Sequence, residues 1–254
     1  MASDAFIKKT ALSLLSKDHI RLTPLDLERT IRCKIPSARQ NEIRQAVREL
    51  VTQGRIIYSQ HNATTHLELN YHRPVQISRR LVLSPPQYEL PPLQKGLAIK
   101  LAGGTAFGGG DHPTTRMILR GLDLVLERQS ALSSDRALDI GTGTGVLAIA
   151  AAVLGFVRVD AVDIDPAACY EAKQNTMLNS VEQCVHISQN PIDPLSTVRY
   201  DLILANLRPP TIIELIPVMM ALSASRSLWI ISGCRVNEGW SAFAVYGDQG
   251  DDNA

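Results

Sequence analysis

Two periodicities run along this chain, and they divide it. Over residues 4–16 the apolar positions Phe6, Ile7, Leu12, Leu14 and Leu15 suit one face of a helix. Thr23 before Pro24, with Asp26 and Glu28 in the acidic first turn, signals a second helix to about Ile31. Pro36-Ser37 opens a third, with Ile43, Val47 and Leu50 on one face and Gly54 as its stop. The pattern then changes to Arg55–Tyr58, a polar turn through His61-Asn62-Ala63, and strict alternation over Thr65–Leu69. That predicts strand, turn and strand. Three short helices followed by a hairpin is the winged-helix order, and it predicts a winged-helix-like domain over residues 1–72. Its third helix exposes Arg39, Arg44 and Arg48, which could meet phosphates or an acidic protein surface.

From about residue 97 strands and helices alternate. Arg136–Ile140, Val157–Val162, Val185–Ser188, Asp201–Ala205 and Ser227–Ser232 read as strands. Gly145–Leu154, Pro166–Leu178 and Ile212–Leu222 read as the helices between them, and Pro113 begins another through Leu124. Such alternation predicts an α/β domain over 97–254, a parallel sheet with helices on both faces. Between the two patterns, residues 73–96 hold Pro74, Pro85, Pro86, Pro91 and Pro92. This reads as a stiff connector outside either core.

Composition sharpens the division. The 254 residues carry a net charge of +1, but residues 1–95 hold 15 Lys+Arg and 8 Asp+Glu, a net of +7. The remainder is net −6. Two units with different partners are implied, the basic one suited to nucleic acid or an acidic protein. Cys33, Cys169, Cys184 and Cys234 are scattered with no Cys-x-x-Cys, which argues against a zinc site or a disulfide framework and for buried free thiols. No signal peptide and no run of 18 apolar residues is seen, so a soluble cytoplasmic protein is expected, with no membrane and no metal partner.

The chemistry gathers at strand ends, where open α/β sheets bind ligands. The first strand runs into Asp139-Ile-Gly-Thr-Gly-Thr-Gly145. Glycines let the backbone turn tightly and approach a ligand, and the helix N-terminus that follows offers free amides. The third glycine comes one position earlier than in the dinucleotide fingerprint, giving Gly141, Gly143 and Gly145, with Asp139 two positions before the first. Asp163 ends the next strand, 18 residues after Gly145, placed for ribose hydroxyls. Asp165 before Pro166 is a helix N-cap, and Asp160, in the other strand phase, a surface charge. Asn206 ends the strand 201–205, where its amide oxygen could accept a hydrogen bond from a substrate amine.

Asp-x-Gly-x-Gly-x-Gly is similar to the first motif of class I methyltransferases, in which the acid helps place the methionine part of S-adenosyl-L-methionine. The segment Ala106-Phe-Gly-Gly-Gly-Asp-His-Pro-Thr-Thr115 resembles the signature of the PrmA family of ribosomal protein methyltransferases. With Asp163–Pro166 and Ala205-Asn-Leu207 it makes four motifs in order, over roughly residues 97–235. The resemblance implies a Rossmann-like class I methyltransferase sheet that binds S-adenosyl-L-methionine. It places Phe107, Thr114, Thr115 and Asn206 near the cofactor, Ile164 against the adenine, and His112 and Leu207 near the acceptor. His112 also reads as a helix cap. Two stretches depart from the family: the N-terminal domain, which is ferredoxin-like in PrmA, and the C-terminus, where Glu238–Tyr246 resembles only the final strand. The expected function is methyl transfer to a protein amine, lysine first, on an acceptor of ribosomal type. The alternatives are an RNA, DNA or small-molecule methyltransferase, and a DNA-binding regulator with a non-catalytic methyltransferase-like domain.

Overall fold

The computed structural model describes residues 3–16, 22–61, 64–88, 96–104, 106–110, 112–128, 135–190, 192–193, 196–233 and 243–248. They form two compact units, divided between Val75 and Gln76.

The first unit has three helices, α1 (Asp4–Leu15), α2 (Pro24–Lys34) and α3 (Gln40–Thr52), then an antiparallel hairpin of β1 (Ile56–His61) and β2 (Thr64–Leu69). The α2 start is as expected. Thr23 accepts from the Asp26 backbone N–H, and the Asp26 carboxylate accepts in return, a reciprocal cap with Pro24 in the first turn. The third helix starts later than Pro36-Ser37 suggests. Ile35 and Ala38 are buried, and an Ala38 N–H to Ile35 carbonyl bond turns the chain there first. Ile7, Leu27, Ile31, Ile43, Leu50 and Ile56 close the core. Leu22 pairs with Leu67 beside the hairpin.

The second unit carries the larger sheet. Its strands are β6 (Arg136–Ile140), β7 (Arg158–Val162), β8 (Val185–Ser188), β9 (Tyr200–Asn206), β10 (Ser223–Ser232) and β11 (Phe243–Asp248). Their order is β11-β10-β9-β6-β7-β8, parallel except for β11, which pairs antiparallel with β10. The helices are α4 (Pro113–Arg128), α5 (Val146–Val153), α6 (Pro166–Leu178) and α7 (Pro209–Leu222). The strand order reverses between β6 and β9, so a crevice opens at their carboxyl ends. The last strand of the sheet falls within the Glu238–Tyr246 reading only in part, since residues 234–242 lie outside the described residues.

The expected connector 73–96 is corrected. It holds β3 (Val75–Gln76) and β4 (Leu81–Ser84), and β4 pairs in parallel with β5 (Leu97–Lys100). Leu81, Val82 and Leu83 are buried. The Arg80 guanidinium and backbone N–H both reach the Asp123 carboxylate on α4, fixing this strand to the domain. Prolines frame the strand rather than replace it; Leu81-Val-Leu83 supplies apolar surface that burial favours over solvent. Cys33 is exposed and Cys184 half-buried, so only Cys169 of the described cysteines fits the buried-thiol expectation; Cys234 lies outside the described residues. Among the described residues no helix is long and apolar enough to cross a membrane.

Candidate active site

Strand register brings the motifs together. Ile140 of β6 stands opposite Val162 of β7 and Ala205 of β9. The next residues along, Gly141, Asp163 and Asn206, therefore line up across the carboxyl edge of the sheet. Residues separated by tens of positions become neighbours because parallel strands share one direction.

The loop after β6 is held by positive φ at Gly141 (72°), Gly143 (55°) and Gly145 (82°). These are conformations that a side chain would strain. Space is short as well. A Cβ on Gly141 would lie 2.4 Å from the Leu207 side chain, and one on Gly143 would lie 2.1 Å from the Phe107 carbonyl oxygen. Leu207 thus roofs the start of the loop. Phe107 lies on its middle, where the Thr144 N–H donates to the Phe107 carbonyl at 2.9 Å and the Thr144 hydroxyl donates to the Gly108 carbonyl at 2.9 Å.

Asp139 is fully buried. Its Oδ2 accepts from the Thr142 hydroxyl at 2.7 Å and from the Ala148 N–H at 3.2 Å. Its Oδ1 is buried with no hydrogen-bond partner among the described residues. Burial raises the Asp139 pKa to about 7; the Thr142 and Ala148 bonds oppose that, and the nearby Asp163 charge adds to it.

Asp163 divides its carboxylate between two backbone amides. Oδ2 accepts from the Gly143 N–H at 2.9 Å and Oδ1 from the Asp165 N–H at 3.0 Å. It shapes the glycine loop as well as ending the strand, a role the spacing alone did not reveal. Asp165 caps α6 through the Ala167 N–H, as expected. Asp160 is a correction: it accepts from the Tyr200 hydroxyl at 3.0 Å and is half-buried, so it ties β7 to the start of β9 rather than serving as a free surface charge.

Asn206 donates from Nδ2 to Thr115 Oγ1 at 3.1 Å, while its Oδ1 is buried with no hydrogen-bond partner among the described residues. Thr115 is fully buried in the first turn of α4. Its observed contact is with Asn206, a relationship not legible across 91 positions of sequence. Thr114 hydrogen-bonds His112 Nδ1, which also accepts the Thr114 N–H at 3.3 Å. His112 therefore caps α4, the reading left open beside substrate proximity. Its ring lies 5.0 Å from that of Phe107, tilted by 59°. Phe107 is 52% exposed and Ile164 87% exposed, two apolar side chains left uncovered at the same edge of the sheet.

One group of polar residues escaped the sequence reading. Asn175 lies on the buried face of α6, and Glu171 and Asn179 stand one turn to either side. An asparagine recurring at the apolar spacing of a helix was the available signal, because asparagine inside a helix is disfavoured unless its amide has partners.

A parallel sheet reversing at β6/β9, with a glycine loop on one strand and an orphaned amide oxygen on the next, defines an α/β methyltransferase fold. Comparison with known proteins agrees. Residues 39–238 match the family model for ribosomal protein L11 methyltransferase (PrmA), and the chain belongs to that family. A ribosomal protein L11 methyltransferase of Heliobacterium modesticaldum is 39% identical over 163 residues, 64% of this chain and 50% of the relative. One of Anoxybacillus flavithermus is 36% identical over 203 residues, 76% of this chain and 63% of the relative. The matched region thus spans between half and about two thirds of these relatives' length. A solved ribosomal protein L11 methylase from Lactobacillus delbrueckii subsp. bulgaricus superimposes with a TM-score of 0.55 at 30% identity, over 64% of this chain and 80% of that one.

Proposed function

We propose that this protein transfers a methyl group from S-adenosyl-L-methionine to a protein amine, most directly a lysine of a ribosomal protein. The observation that carries the reading is the Asn206 amide, held at Nδ2 by Thr115 with Oδ1 buried and unpartnered at the switch point of the sheet. An acceptor there would receive a hydrogen bond from a neutral amine and turn the nitrogen lone pair toward the methyl carbon.

The residues present fit the cofactor. Asp139 offers an orphaned buried oxygen to a cationic methionine end. Gly141, Gly143 and Gly145 keep the loop free of side chains, and Asp163 stands where ribose hydroxyls would add to its two amide bonds. Exposed Ile164 offers an apolar face to a purine. When bound, the cofactor would supply an activated methyl on a sulfonium, its S–CH3 bond giving way to an N–CH3 bond on the amine, with the proton of the resulting ammonium passing to water. The chain's part is positioning and exclusion of water, with Leu207, Phe107 and His112 bordering the site.

The first unit supports an acceptor-recognition role, and its three helices with a hairpin favour a winged-helix-like module. A second reading, with nucleic acid as acceptor, is favoured by the exposed Arg39 just before α3 and Arg48 within it, in a basic half. Arg44 contributes less, being paired with Glu28 at 2.8 Å.

Incubating the full chain with methyl-labelled cofactor and ribosomal extract distinguishes them. Protease-sensitive label on lysine is expected. Label removed by nuclease selects the second reading, and equal labelling by wild type and Asn206→Ala overturns the assignment of the site.

A further inference from the structure

Residues 100–104 follow β5 and residues 106–108 lie against the glycine loop, and α6 holds both stretches by side chains. The Asn179 amide both accepts from the Lys100 N–H and donates to the Lys100 carbonyl, each at 2.7 Å. Asn175 Oδ1 accepts from the Ala102 N–H at 2.9 Å. Glu171 accepts from the Ala106 N–H at 3.0 Å. Helix and segment run in opposite directions. Four helical residues advance about 6 Å and two extended residues about 6.6 Å, so Asn179/Lys100 and Asn175/Ala102 keep step. The edge of the helix thus serves the segment as a partner strand would.

Asn175 does more than bind the segment. It is 2% exposed, and its Nδ2 donates to the Thr144 carbonyl of the glycine loop at 2.8 Å. One buried amide therefore grips both the segment and the loop. On the far side of that grip, the Thr144 N–H donates to the Phe107 carbonyl. The two bonds at Thr144 close a ring through Asn175, Ala102 and Phe107.

Resting on the cofactor reading above, we infer that Asn175 and Glu171 are positioning residues of the methyl-transfer site. They hold the Phe107 segment against the glycine loop, and so set the surface on which the cofactor binds. Neither needs to touch the cofactor. A buried amide satisfied at both ends fixes two backbone segments at once, because losing either bond leaves a buried group unpaired.

The test uses Asn175→Asp, which keeps the acceptor for Ala102 but turns a second oxygen toward the Thr144 carbonyl. Glu171→Ala loosens the segment from a half-buried position and spares folding, and Glu171→Gln restores an acceptor for Ala106. Two readouts are taken on the full chain: exchange of the Thr144 amide proton without ligand, and the Kd for S-adenosylhomocysteine by calorimetry. Exchange about tenfold faster in Asn175→Asp and Glu171→Ala, wild-type exchange in Glu171→Gln, and a Kd raised about tenfold in the first two are expected. Unchanged Thr144 exchange in both loosening variants overturns the inference, whether or not ligand binds. Faster exchange with an unchanged Kd also overturns it. Failure of wild type to bind S-adenosylhomocysteine fails the cofactor reading instead, and the exchange result then still decides whether the segment is held this way.

Discussion

Thr115 Oγ1 accepts one Nδ2 hydrogen of Asn206 at 3.1 Å, and that bond orients the amide. Its Oδ1 is buried with no hydrogen-bond partner among the described residues, and under the proposed function it is the end that meets the acceptor. Thr115→Val keeps the shape and removes the acceptor. It should lower kcat about tenfold through loss of orientation, with cofactor Kd within about threefold of wild type. Asn206→Ala should lower kcat by about 100-fold with the same unchanged Kd. Steady-state kinetics beside calorimetry check both; a change confined to cofactor Kd would place Asn206 at the cofactor alone.

Asp139 should make stability depend on pH near neutrality. In the unfolded chain it ionises around its ordinary value of 3.8, whereas burial holds the proton until about 7 in the folded protein. Between those values the unfolded state has lost a proton that the folded state keeps, so stability falls as pH rises and levels off above about 7. The full effect is about 4 kcal/mol. Urea unfolding from pH 4 to 8 should show the decline in wild type and a flatter profile in Asp139→Asn.

The same carboxyl predicts the pH dependence of binding. A cationic ligand favours the ionised form, so affinity for S-adenosyl-L-methionine should rise with pH through about 7, with net proton release. Calorimetry in buffers of different ionisation enthalpy measures that release. Asp139→Asn should bind more weakly and without it.

Gly143 combines a φ of 55° with the Phe107 carbonyl 2.1 Å from where a Cβ would stand. Gly143→Ala should cost about 1–3 kcal/mol in strain and push Phe107 off the loop. Thermal unfolding should show the loss, and cofactor binding should fall further than the stability change alone explains. A variant that binds as wild type would mean that the close approach of Phe107 is dispensable.

Asp123 anchors the strand that the prolines disguised. Burial would raise its pKa, but the Ser78 hydroxyl, the Arg80 backbone N–H and the Arg80 guanidinium outweigh this and lower it. Its contribution is therefore present above the ordinary value of 3.8 and is lost as pH falls through the lower folded value. Asp123→Ala leaves Arg80 without this partner and should destabilise the domain by about 3 kcal/mol at neutral pH. Limited proteolysis near residues 78–88 should accelerate alongside.

Most elements of the larger unit were legible because their signals are local. Pro166–Leu178 and Val185–Ser188 match their expected bounds, the first through the Asp165 cap and Pro166, the second through its alternating burial. Leu81–Ser84 was missed because neighbouring prolines mark a connector by composition, while burial depends on what lies across from the strand. Thr115 and Asn175 were missed as partners of Asn206 and Thr144 for a related reason. Their amides and hydroxyls act on residues 91 and 31 positions away, at distances that only the fold sets.

The sequence by itself determined the order of strands and helices from Pro113 to Ser232, the glycine loop with Asp139, and the acidic and amide residues at the strand ends. Those follow from periodicity, from capping and from the freedom of glycine at positive φ, all properties of short stretches of chain. Tertiary structure alone decided that β6 lies between β7 and β9, so that Gly141, Asp163 and Asn206 share one edge. It also decided which amide oxygen of the site is left unpartnered, because hydrogen-bond satisfaction in a buried place belongs to all the neighbours at once and not to any one segment.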